Sequence, residues 1–185
     1  MIAFDTQGRH RGLALFLSSA LLAIGLTLSA VPMAAAEGEV ECSSIRVQMK
    51  ADGYDTTCED GKGLDHAYQT LEANSTDGTH FLVIGDLTTN NGYIFNSGSL
   101  REGLTDAFES LEPKEWHSGK GEQGLTTAEF VSAYKTMDSA CVGFQKYVRR
   151  EPWGGWRRHI IGFGCSRVGD RSQVYQALKL VDFPN

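Results

Sequence analysis

The stretch CVGFQKYVRREPWGGWRRHIIGFGC, residues 141–165, reads as one β-hairpin with a cysteine at each end. Glu151-Pro152-Trp153-Gly154 has the chemistry of a type I turn, with Pro second and Gly fourth, where a left-handed residue closes a three-residue loop. Centring the loop on Trp153 sets the register: Arg149 faces Arg157, Tyr147 faces His159, and Cys141 faces Cys165. Two cysteines meeting across one hairpin can bridge. The count puts them at a hydrogen-bonded pair, with Cα atoms expected about 5.5 Å apart.

The base of this hairpin (Val142, Phe144, Val148, Ile160, Ile161, Phe163) is apolar enough to belong to a sheet. Its tip carries Arg149, Arg150, Trp153, Trp156, Arg157 and Arg158, the candidate binding surface. Opposed arginines repel unless an anion or acidic surface lies close, and arginine with tryptophan dominates binding hot spots. The plainer reading is a solvated edge on which the basic side chains stack on their own tryptophans. A third is a tip folded back on the acidic helix face of Glu102, Asp106 and Glu109.

Working outward, residues 1–36 read as a cleaved secretory signal. Arg9, His10 and Arg11 precede the apolar run 13–31, and Ala34-Ala35-Ala36 supplies the small residues of a cleavage site. The rival is an uncleaved anchor, against which Ser18, Ser19, Gly25, Thr27 and Ser29 dilute the run. Residues 37–185 are then a single domain, exported to the periplasm or secreted, with no integral membrane domain. All four cysteines fall in it, and an even number in an exported chain favours disulfides: Cys42 with Cys58, Cys141 with Cys165.

Past residue 36, fifteen basic residues stand against twenty-two acidic ones, net −7, which argues against a nucleic-acid partner. The charge is divided along the chain. Residues 37–140 carry net −12 and residues 141–185 net +5, so an acidic protein or an anionic envelope component is the expected partner of the basic end.

Strands are predicted over 43–49 and 54–58, a helix from Leu64, Ala67, Tyr68 and Leu71, a second hairpin from 80–87 and 93–95, and a helix capped by Ser99. Residues 112–124 read as a loop, Thr126-x-x-Glu129 as a capping box opening a helix with Phe130, Val131, Tyr134 and Met137 inward, and Asp170 as the start of a last helix. The sum is an α+β fold: an antiparallel sheet of about three hairpins, amphipathic helices on one face in loose ββα units, stapled by disulfides.

The familiar catalytic motifs (His-Glu-x-x-His, Gly-x-Ser-x-Gly, the phosphate-binding loop) are missing, and no catalytic residue, metal ligand or cofactor is assigned. Gly119-x-Gly121-x-x-Gly124 lies in a polar loop with no strand predicted to feed it and reads as chance. Two alternatives to a binding protein remain open: a small periplasmic hydrolase using the loop around His117, and a purely structural secreted domain.

Overall fold

The computed structural model describes residues 38–63, 65–90, 92–94, 98–108, 110–133 and 139–184. The expected signal segment, with Leu64, Phe95, Glu109, Tyr134 and Met137, lies outside them. The eight-stranded antiparallel sheet has the order β1-β3-β4-β5-β9-β8-β7-β6. Its strands are β1 (Gly38–Val40), β3 (Tyr54–Lys62), β4 (His66–Ser75), β5 (His80–Thr89), β6 (Lys114–Ser118), β7 (Thr126–Ser132), β8 (Ser139–Arg150) and β9 (Trp156–Ser166). It consists of two meanders, β3–β5 and β6–β9, joined where β5 pairs with β9, with β1 added at the edge against β3. A two-stranded ribbon pairs β2 (Gln48–Met49) with β10 (Val181–Asp182).

Strand makes up 54% of the described residues and helix 15%, which overturns the balanced α+β reading. Two predicted helices are strands. Residues 66–75 form β4, where Leu71, Ala73 and Ser75 alternate inward and Tyr68 points to the opposite face. Residues 126–132 form β7, paired on both sides, so the tertiary ladder overrides the local capping-box signal. Nor does the first hairpin form: β2 joins β10, while β3 pairs with β1 and β4. Part of the expected loop 112–124 is edge strand β6, and Ile94 bridges to Trp156 rather than returning along β5.

The two α-helices, α1 (Leu100–Ala107) and α2 (Arg171–Lys179), cover opposite faces of the sheet. Under α2 and the ribbon lie Leu82, Ile84, Val142, Phe144 and Ile160 with Val174, Ala177 and Leu178. Under α1 lie Phe81, Phe130, Ile161 and Phe163 with Leu100 and Leu104. β8 and β9 are therefore buried on both faces, which explains why their base is almost continuously apolar and lacks a clean period of two. Gly164 is required by this closeness. A Cβ there would stand 2.3 Å from Leu82 Cδ2 and 2.7 Å from Val174 Cγ1.

Both disulfides form as expected, Cys42–Cys58 and Cys141–Cys165. The Cα atoms of the second pair are 4.0 Å apart, so the cysteines face each other at a closely spaced site of the ladder, not at the wider hydrogen-bonded one. Among the described residues no helix is long and apolar enough to cross a membrane.

One charged cluster is built into the α2 face. Asp86 follows Leu82 and Ile84 in the alternation of β5 and is 2% exposed. Arg158 donates from Nε to Oδ1 at 2.6 Å and from Nη2 to Oδ2 at 2.7 Å, and Arg46 Nε donates to Oδ2 at 2.9 Å. Arg158 Nη1 also reaches the Pro184 carbonyl at 3.3 Å, tying down the C-terminal segment. A buried ion pair is weak evidence of net stability, but removing one member leaves a charge uncompensated. Asp86→Asn is expected to cost about 3–5 kcal/mol in denaturant unfolding, whereas Asp86→Leu with Arg158→Met should recover most of that loss.

Candidate functional site

The hairpin keeps the register read from its sequence, except that the expected Arg149–Arg157 pair is absent from the ladder, where Arg149 takes a positive φ. Tyr147 faces His159 and Arg150 faces Trp156. Gly154 N donates to the Glu151 carbonyl at 3.1 Å and Glu151 N to the Gly155 carbonyl at 3.2 Å, with Gly154 at φ +94°, where a side chain would be strained. The loop thus holds three residues, with Trp153 in the middle. Trp153 is 89% exposed, a large apolar surface open to solvent.

The arginines divide. Arg149 sits at φ +60°, its side chain 80% exposed, and Arg150 is exposed with its guanidinium 6.0 Å from the Trp156 ring centre. Arg157 is half-buried: Nε donates to Glu151 Oε1 at 2.9 Å, and the guanidinium lies 5.0 Å from the Tyr93 ring centre. Arg158 points inward to Asp86 and does not join the surface. The repulsion expected among four opposed arginines is thus relieved within the chain by Asp86, Glu151 and two aromatic rings. Of the six candidate residues, Arg149, Arg150 and Trp153 are exposed, Trp156 and Arg157 half-buried, and Arg158 buried. The tip's carboxylate partners are Glu151 and Asp86 rather than the α1 carboxylates of Glu102 and Asp106.

Behind the tip, Tyr147 and His159 stack with ring centres 4.2 Å apart and planes within 3°. Tyr147 also packs on Trp156 at 5.8 Å. His159 Nε2 lies 3.3 Å from Gln145 Oε1. Burial pushes its pKa from 6.5 down to about 4, so the ring is neutral at physiological pH and adds no charge to the tip.

A second polar chain, absent from the sequence reading, fastens the β4–β5 turn. Thr79 Oγ1 donates to Asp77 Oδ1 at 2.8 Å and so must accept from His80 Nδ1 at 2.9 Å. Burial pushes the His80 pKa down, and in the neutral imidazole Nε2 accepts from the Tyr54 hydroxyl at 2.7 Å. Asp77, held by the Thr79 amide and hydroxyl, is lowered to about 2. Burial raises the Tyr54 hydroxyl, the opposite of what a nucleophile needs.

His117 stands exposed on edge strand β6, opposite Glu129. It lines neither of the two hollows beside α1. Among the described residues no group of three His, Cys, Asp or Glu is placed to hold a metal ion. No family model, curated protein or solved structure matches the chain.

His159 gives the protein a measurable pH dependence. Its folded-state pKa lies below the unfolded value, so the unfolded chain binds the proton more readily. Stability present at neutral pH should fall as the pH drops below about 6.5 and continue falling to about 4, by up to about 3 kcal/mol. His80 contributes in the same direction. Denaturant unfolding at several pH values should show this slope, and His159→Gln should flatten it.

Proposed function

We propose that the protein is an exported, non-enzymatic binding or accessory protein of the periplasm or secreted space. It contacts an acidic partner or an anionic envelope component through the tip of the β8–β9 hairpin. The observation that carries this reading is the apex itself: an exposed Trp153 flanked by the exposed Arg149 and Arg150 on a chain that is otherwise strongly acidic.

The physical case rests on rigidity and on charge. Hairpin ladder, turn hydrogen bonds and the bridge between Ile94 and Trp156 hold the backbone of the apex, so binding need order only its side chains. Tryptophan combines a large apolar face with one N–H donor, which suits it both to a protein pocket and to a headgroup layer. Arginine offers a planar fork to carboxylate or phosphate. The two disulfides are compatible with an oxidising compartment, where such a surface would meet envelope components.

Co-sedimentation with vesicles of anionic phospholipid, beside recovery of bound proteins from an envelope extract, tests this reading. The protein should bind one of the two, and the triple replacement Arg149→Ala, Arg150→Ala and Trp153→Ala should weaken binding roughly tenfold or more. Raising ionic strength to 0.15 M, where screening acts over about 8 Å, should weaken it as well. Binding to neither, or binding that the triple variant and salt leave unchanged, would make the tip a solvated hairpin end.

A further inference from the structure

On the sheet face that carries α1, two rows of side chains run across the strands. Thr70 on β4 faces Gly85 on β5, which faces Ile161 on β9 and then Gln145 on β8. The next row is Tyr68, Leu87, His159 and Tyr147 in the same strand order. α1 packs over β7, β8 and β9 and stops short of β4. Between its side and the sheet lies a groove of about 500 Å³, within the usual range of small-molecule sites.

Two glycines shape the groove. Gly85 leaves a trough in its floor, where a Cβ would meet only ordinary contacts with Ile161, at 3.5 Å or more. Gly103 lets α1 approach Ile161 so closely that a Cβ there would stand 3.0 Å from Ile161 Cδ1. One turn further, Asp106 and Ala107 line the same wall, with Phe108 beyond them. The groove continues past Gly103, Asp106 and His159 into a smaller hollow of about 150 Å³ lined by Glu102, Gln145 and Tyr147.

The lining fixes the chemistry of an occupant. Apolar surface dominates the groove, no Lys or Arg among the described residues lines either hollow, and His159 is neutral. The formal charges at hand are carboxylates, Asp106 where the two hollows meet and Glu102 beside it, although Glu102 also holds the Ser99 amide at 2.7 Å. Tyr147 and His159 add aromatic surface, against which an organic cation is attracted. We infer that this groove is a binding site for a small organic cation with an apolar body, an amphipathic amine whose chain lies along Gly85, Leu87, Phe108 and Ile161 and whose ammonium sits at Asp106. The site is separate from the hairpin apex and opposite to it in charge preference, so its failure would leave the apex reading untouched.

Calorimetric titration of the folded protein at pH 7.5 with n-octylammonium, n-octanol and n-octanoate, each below its micelle concentration, tests the inference. Octylammonium should bind saturably and octanoate should not, with octanol between them. Asp106→Asn should weaken octylammonium about tenfold, the scale of one contact with a charged group, while leaving octanol unchanged. Gly85→Val should weaken both by filling the trough. Asp106 is exposed, so its replacement should leave the fold intact even if Gly85→Val does not fold. Absence of octylammonium binding, equal binding of octanoate, or indifference to Asp106→Asn would overturn the assignment.

Discussion

The register of the β8–β9 hairpin, in which Cys141 faces Cys165 and Glu151 faces Gly155, decides the side on which every residue of the sheet's centre falls. Side chains alternate with period two, so a slip by one position would turn the Leu82 and Phe144 layer out of the core and expose Gly164 where α2 needs it flat. The register is pinned at both ends. The disulfide fixes the base, and the three-residue loop around Trp153 fixes the tip. Both neighbouring meanders then build on it, β5 against β9 and β7 against β8.

The same register separates arginines that are neighbours in sequence. Arg158 lies on the α2 face, diagonal to Asp86 across the β5–β9 ladder, and closes a buried carboxylate with Arg46. Arg149, whose Nε lies 3.9 Å from Glu151 Oε1, and Arg150 stand exposed just before the turn. The apolar groove beside α1, with the Asp106 carboxylate at its edge, lies on the opposite face of the same sheet from the Asp86 cluster.

The hairpin was legible because turn chemistry, cysteine spacing and length all specified one local structure. α1 and α2 were legible for a similar reason: Ser99 with Glu102, and Asp170 with Ser172, cap their helices by contacts within four residues. β4 and β7 were not. Leu64, Ala67, Tyr68 and Leu71 fit a helical spacing, and Thr126 with Glu129 fit a helix start, yet both segments owe their strand state to partners distant in sequence or to pairing that local spacing cannot express. Arg158 shows the same limit in the site. Strict alternation from Leu82 and Ile84 marks Asp86 as a buried carboxylate in need of a cation, but which arginine supplies it depends on β5 pairing with β9. The groove depends on that pairing as well, since Gly85 and Ile161 become neighbours only in the sheet.

Thermal unfolding of Arg158→Ala beside the double variant Arg149→Ala with Arg150→Ala measures this division of roles most directly. Arg158→Ala should lower Tm by about ten degrees, because a buried carboxylate loses its bidentate partner at a cost of about 3 kcal/mol or more. The double variant should melt within a few degrees of the parent, since exposed arginines contribute little to folding. Equal losses from the two, or a larger loss from the outer pair, would mean that the register does not divide the arginines between core and surface, and the binding tip would lose its basis.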